Sequence, residues 1–171
     1  MIFVVVSAVV LAGCAAPAKA PTAAGPARET AVYLSVLRHF FTSGDTSFGD
    51  HQFPHVFMRD VAVKSPIEGP SETGTPIPTD VQGALTSGLA DLAPLEFVHT
   101  DTEVIEEHDG CAQVRDGGIL ITLGPVAATG DKVEVDVEGF VACLGAVWLT
   151  YVVRHEHGRW VIADTIGRGI A

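Results

Sequence analysis

Two periods of hydrophobic positions divide the chain into a helical part and a strand-rich part. Apolar residues first recur every three to four positions, which predicts an amphipathic helix over residues 29–43. A second stripe of this kind begins after Thr79, which we expect to be a helix N-cap with Gln82 reaching back to it. This second helix should end near residue 91, because Pro94 cannot continue it.

Most of the remaining pattern has a period of two, which is typical of strands with one buried face. The clearest case is residues 132–139, where valines alternate with carboxylates. A short apolar run at 119–123 follows two glycines and also predicts a strand. The full set of predicted strands is 56–63, 96–98, 103–105, 119–123, 132–139, 146–155 and 159–165.

The order of these elements predicts an α+β fold. We expect an N-terminal helix and a second helix packed on a curved, mostly antiparallel sheet of about four to six strands. This order, and the closing strands over residues 132–165, resemble the cone-shaped roll of nuclear transport factor-like and ketosteroid isomerase-like domains, or the related cystatin-like sheet. The resemblance implies a ligand cavity between the first helix and the sheet, lined by Tyr33, Leu37, Phe40 and Phe41.

The first residues carry a different kind of signal. An apolar run over residues 2–10 leads into Leu11-Ala12-Gly13-Cys14 and is far shorter than the roughly 20 residues that span a bilayer. This segment resembles the signal peptide and lipobox of bacterial lipoproteins. The resemblance implies cleavage before Cys14, a diacylglyceryl group with palmitate-type chains on its thiol, and anchoring at the extracytoplasmic face of the cell membrane. The alternative is a buried apolar strand that carries an incidental cysteine.

The lipobox divides the chain into three parts. Residues 1–13 are the expected signal peptide, 14–27 the lipidated cysteine with a flexible Ala/Pro linker, and 28–171 a single α+β domain. Residues 1–12 contain neither Lys nor Arg, although such signals usually begin with a positive charge. Either the amino terminus supplies that charge or the natural start lies upstream. The whole chain also resembles uncharacterised lipoproteins of high-GC bacteria, which implies no particular activity.

The net charge of the chain limits the classes of partner that it can bind. It has 21 acidic and 10 basic residues, a formal net charge of −11, so nucleic acid is not an expected partner and anionic headgroups should repel it. The stretch from residue 91 to residue 116 contains eight carboxylates and one arginine, Arg115. This stretch is either a solvated face or a docking surface for a basic partner or cations. The carboxylates are Asp91, Glu96, Asp101, Glu103, Glu106, Glu107, Asp109 and Asp116.

The cysteines fit an oxidising compartment. With Cys14 assigned to lipid, Cys111 and Cys143 remain as an even pair, and a disulfide between them is expected outside the cytoplasm. The alternative is two buried free thiols, because Cys143 lies in an apolar segment.

Three groups of residues are candidates for chemistry. On a strand, His99, Asp101 and Glu103 would share one face and suit zinc or manganese, although an exposed polar edge has the same pattern. His155 and His157 flank a turn, where histidines are common without a metal. Asp60, among apolar neighbours, is the candidate for a semi-buried general base of the ketosteroid isomerase kind, unless it pairs with Arg59 or another surface cation. The full list of these candidates is His99, Asp101, Glu103, His155, His157 and Asp60.

The chain lacks the usual sequence motifs for phosphate binding, serine hydrolysis or zinc proteolysis, and no cofactor is implied. The sequence therefore favours a non-catalytic, membrane-anchored accessory module that binds a small apolar ligand or a partner in the cell envelope. The alternatives are a ketosteroid isomerase-like enzyme that uses the cone cavity with Asp60, and an interaction module that uses the acidic face.

Overall fold

The computed structural model describes residues 25–48, 51–64 and 74–170. The predicted signal peptide, Cys14 and most of the linker lie outside these residues. In the described part, two helices pack on a strongly curled, mostly antiparallel sheet, which confirms the predicted α+β class.

Helix α1, Pro26–Thr42, carries the predicted apolar stripe. It begins earlier than predicted because proline, lacking an N–H, suits the first turn of a helix. Helix α2, Thr79–Gly88, differs at both ends from the prediction. Its N-cap is Pro78, and the Gln82 amide donates to the carbonyl of Ile77 (2.8 Å), so the expected capping box is absent. Neither of these helices has the length and apolar character needed to cross a bilayer.

The main sheet has the order β10-β9-β8-β7-β1-β4, with a β5–β6 hairpin attached to β8. Strand β1 is parallel to both β4 and β7, and α2 lies in the crossover from β1 to β4, as a parallel pair requires. The other pairs of the main sheet are antiparallel. The strands are β1 Val56–Arg59, β2 Val61–Ala62, β3 Thr75–Pro76, β4 Leu95–Val98, β5 Ile105–His108, β6 Cys111–Val114, β7 Ile119–Leu123, β8 Lys132–Ala142, β9 Gly145–Glu156 and β10 Arg159–Ile170.

Two predicted strands are wrong in detail. The strand expected over residues 56–63 is interrupted at Asp60, where the carbonyl accepts from Ile77 N–H (2.8 Å) in the neighbouring small β2–β3 ladder. The strand expected over 103–105 is replaced by a single 3₁₀ turn, Asp101–Glu103, before β5 begins. The predicted bounds of β7 are confirmed at both ends.

The core lies between α1 and one face of the curled sheet. Tyr33, Val36, Leu37 and Phe40 of α1 are at most 1% exposed. They face the inward residues of the neighbouring strands β8 and β9, and each such buried side chain contributes roughly 1.5–3 kcal/mol. Those inward residues are Val133, Val135, Val137, Val147, Leu149, Tyr151 and Val153.

The opposite face of the sheet carries a second, smaller core. Phe57, Val98 and Leu120 of the sheet pack there against Val104 and Val114, from the segment that follows β4. A disulfide joins Cys111 of that segment to Cys143, between β8 and β9, with the sulfur atoms 2.07 Å apart. The predicted bridge is thereby confirmed, and it attaches the β5–β6 hairpin to the sheet.

We expect removal of this disulfide to destabilise the fold substantially. The cysteines are 32 residues apart, so in the chain-entropy model the bridge stabilises the native state by about 3–4 kcal/mol. The Cys111→Ala/Cys143→Ala double variant should therefore unfold at lower urea concentration, and adding reductant should not shift it further. Reductant should shift the unaltered protein toward the variant. Equal unfolding midpoints for the two proteins would contradict the expectation.

Candidate functional site

The carboxyl ends of β1 and β4 bring together residues that are 39 to 42 positions apart in the chain. Arg59 and Val98 are register partners at the ends of these parallel strands, so Asp60 and His99 follow as neighbours. Ligand sites in open α/β sheets lie outside the carboxyl ends of parallel strands. This edge of the sheet is therefore a candidate site for chemistry.

Arg59 forms the buried centre of this edge. The residue is 5% exposed, and its Nη1 donates to Oδ1 of Asp101 at 2.5 Å. The 3₁₀ turn after β4 holds Asp101 over the end of β1. The Arg59 Nε is buried and has no hydrogen-bond acceptor within the described ranges. A buried guanidinium needs a counter-charge, and Asp101 supplies it here.

Asp60 binds a histidine rather than the adjacent arginine. Its Oδ2 lies 3.1 Å from Nδ1 of His99, and its side chain is 31% exposed. Asp60 therefore lies at the end of β1 and outside the core between α1 and the sheet. In this pair the carboxylate orients the imidazole through its Nδ1 atom.

The three residues considered for a metal do not share a face. Because residues 101–103 form a turn, Glu103 points back and accepts from the backbone N–H groups of His99 (2.9 Å) and Thr100 (2.7 Å). Asp101 is held by Arg59, and His99 by Asp60. Over residues 25–48, 51–64 and 74–170, no group of three or more His, Cys, Asp or Glu side chains could hold a metal ion. The expectation of one shared ligand face is wrong because it assumed a continuous strand.

Glu138 joins this edge from the middle of β8. It is the register partner of Thr122 in β7, and Leu120 of β7 belongs to the second core on the same face of the sheet. Burial and, to a lesser extent, the charge of Asp101 raise the pKa of Glu138 to about 7. The sequence pattern placed Glu138 on a solvated face, and no local signal could show that a distant turn lies near it.

The cavity expected beneath α1 is occupied by the helix's own side chains. Tyr33, Leu37 and Phe40 belong to the core, and the Tyr33 hydroxyl donates to the carbonyl of Gly124 at 3.0 Å. Phe41 lies on a groove of about 320 Å³, together with Phe53 and other residues near the end of α1. In the described part of the chain, three of the four residues thus belong to the packed core and the fourth lies at a groove near the helix end.

Most of the predicted acidic stretch lies on the segment that covers the face of the sheet opposite α1. Arg115 is the one cation of that stretch, and it is engaged: its guanidinium lies 4.9 Å from the Phe57 ring centroid and 3.6 Å from Glu96. Asp91 is the exception, because it binds Arg38 of α1 (2.7 Å) on the other side. We call the remaining seven carboxylates the acidic layer: Glu96, Asp101, Glu103, Glu106, Glu107, Asp109 and Asp116.

We predict that Glu138 makes stability depend on pH near neutrality. Its folded pKa, about 7, lies above the ordinary glutamate value of 4.5, so its contribution is fully present below about pH 4.5 and is lost as pH rises through 7. After allowance for partial solvation the loss is about 1–2 kcal/mol. Glu138→Gln should therefore be more stable than the unaltered protein at pH 8 and nearly equal to it at pH 5, measured by urea unfolding.

The control for this prediction lies on the same strand. Glu134 is exposed, and Glu134→Gln should change stability little at either pH. Equal effects of the two substitutions at pH 8 would contradict the assignment to Glu138.

Comparison with known proteins adds no role for any of these residues. No model of a known protein family matches the chain, and no curated protein or solved structure is significantly similar to it. Any functional conclusion must therefore rest on the geometry and charge of the chain itself.

Proposed function

We propose that the protein is a lipid-anchored extracytoplasmic module that binds a basic partner of the cell envelope through its acidic layer. The observation that carries this proposal is the position of the acidic layer. Six of its seven carboxylates lie on the segment after β4, which the Cys111–Cys143 disulfide attaches to the sheet on the face opposite the helices, and Glu96 lies in β4 itself. A surface held in this way is fixed in shape before a partner arrives.

The position of α1 supports a distal docking surface. Arg28, in the first turns of α1, donates to the carbonyls of Ala127 (3.0 Å) and Gly130 (2.6 Å), just before β8 begins. The disulfide lies beyond the other end of β8, an 11-residue strand. Because a strand rises about 3.3 Å per residue, roughly 30 Å separate the two ends. A tether that enters at α1 would leave the hairpin facing away from the membrane.

The charge of the layer determines the kind of partner. Six of its seven carboxylates are exposed, and Arg115 is already engaged by Glu96 and Phe57. Surfaces of this kind attract basic proteins over long range and lose that attraction as salt screens the charges. The disulfide agrees with an oxidising compartment, and two acyl chains on Cys14 would give stable anchoring.

A surface role fits the chain better than the cavity roles. The interface between α1 and the sheet is filled with its own side chains, which leaves the proposed isomerase-like base without its apolar cone. Asp60 instead orients His99 at the sheet edge. The role of a small-ligand carrier likewise loses the four-residue cavity on which it depended.

Cys14→Ser tests the anchor. Loss of the thiol removes the lipid acceptor, so we expect the variant to leave the membrane fraction of the native bacterium and to lack the mass of a diacylglyceryl group. Cys143→Ser, which keeps Cys14, should stay membrane-bound and lipidated. Lipid mass that persists on Cys14→Ser would contradict the lipobox assignment.

Two sets of charge changes test the docking surface. The first set neutralises the hairpin with Glu106→Gln, Glu107→Gln and Asp109→Asn. The matched control neutralises three exposed carboxylates elsewhere, with Glu134→Gln, Glu156→Gln and Asp164→Asn. Chemical crosslinking in intact cells should yield a partner adduct with the unaltered protein and the control, and several-fold less of it with the first set.

The same adduct should weaken on isolated membranes as salt rises from about 0.05 to about 0.5 M. An adduct that is insensitive to both salt and the hairpin substitutions would contradict docking through the acidic layer. The proposed lipid anchor and the proposed docking surface can thus be contradicted independently of each other.

A further inference from the structure

A groove of about 600 Å³ runs between the outer side of α1 and the first residues of β10. Ala31, Leu34 and Arg38 form one wall, because positions three and four apart lie on the same side of a helix. Trp160 and Ile162 of β10 contribute to the other wall. The groove is on the helix side of the molecule and shares no residue with the acidic layer. Its volume is within the range of known ligand sites.

The β10 wall of this groove is also the edge of the sheet. Within the described sheet β10 pairs with β9 alone, so its other side is open to a further strand. The connecting turn is a two-residue hairpin, His157 (φ 51°) and Gly158 (φ 79°), which makes Glu156 and Arg159 a hydrogen-bonded pair.

The direction of the backbone groups follows from that turn. In an antiparallel pair, bonded and non-bonded residues alternate, so Arg159 and Val161 direct their N–H and C=O groups toward β9. Trp160 and Ile162 direct theirs away from β9, along the free edge. A bulge follows Ile162, which limits the regular edge to these first residues.

The side chains next to this edge are apolar at alternate positions. Trp160 and Ile162 pack partly buried against the main core, as does Leu34 across the groove. A free strand edge beside an apolar groove is the arrangement with which proteins bind extended peptides. The added main chain pairs with the edge, and alternate side chains enter the groove.

We propose that α1 and the edge of β10 bind an extended peptide segment of another protein as an added strand. The peptide would carry apolar residues at alternate positions and at least one carboxylate. The carboxylate is required by charge complementarity with the exposed Arg159, which lines the groove. Arg38 also lines the groove, but it is already paired with Asp91. This site is separate from the acidic layer, and it would bind an acidic segment rather than a basic one.

A displayed library of random peptides of about eight residues, selected on the purified full-length chain, tests the site. We expect the selected sequences to carry apolar residues at alternate positions and to contain Asp or Glu.

Three variants test where the selected peptide binds. Binding should weaken at least about fivefold in Ile162→Pro, which removes one outward N–H without disturbing the β9 pairing. Leu34→Glu should abolish binding of the peptide, because it replaces an apolar side chain of the groove with a negative charge that repels the peptide's carboxylate. Ile166→Lys, exposed and outside the groove, should bind normally.

Backbone hydrogen exchange gives an internal control within β10. A bound strand should protect the amides of Trp160 and Ile162 by about tenfold or more and leave Arg159 and Val161, which already pair with β9, unchanged. Protection that appears with rising protein concentration and no peptide would assign the edge to a second copy of the chain and overturn the proposal. So would sequences that bind Ile162→Pro and Leu34→Glu as well as the unaltered protein.

Discussion

Burial of the apolar stripe of α1 against a curled sheet is the constraint on which the rest of this structure depends. Tyr33, Val36, Leu37 and Phe40 can leave water only if β8 and β9 turn one complete face toward them. The approach is close: a Cβ atom at Gly139 would lie 2.8 Å from the ring of Phe40, so β8 needs a glycine there. Because side chains alternate strictly along a strand, fixing the inner face of β8 also fixes what its outer face presents.

The outer face then requires a cover of its own. Phe57 and Leu120 are the outward neighbours of core residues, and they would remain in water without the segment that follows β4. Folding that segment back over the sheet brings Asp101 to Arg59 and close to Glu138. The polar cluster at the ends of β1 and β4 is thus a consequence of covering the second core. Burial of Glu138 beneath this cover and, to a lesser extent, the negative charge of Asp101 raise the pKa of Glu138.

The sequence predicts the parts of this fold that depend on local periodicity. The stripe of α1, the alternation of β8 and the run that forms β7 each carry their own signal, and each is confirmed. What the sequence misses depends on contacts between distant segments. The break at Asp60 requires Ile77, and the turn at Asp101 requires the end of β1. Periodicity also shows which side of a helix is buried, but it does not show whether a space remains beneath that side. Tyr33, Leu37 and Phe40 are therefore predicted to line a cavity, whereas in the structure they belong to the core.

The two proposed surfaces follow from the same two-sided sheet. Carboxylates collect on the segment that follows β4, which buries Val104, Val114 and part of Ile105 against the sheet. The exposed Arg159 lies on the helix side, on the strand edge that borders the groove beside α1. Because the whole sheet separates the acidic layer from this groove, the two proposed partners would not compete for space. The same sheet that buries the stripe of α1 on one side and the second core on the other thus leaves each proposed surface on its own side of the molecule.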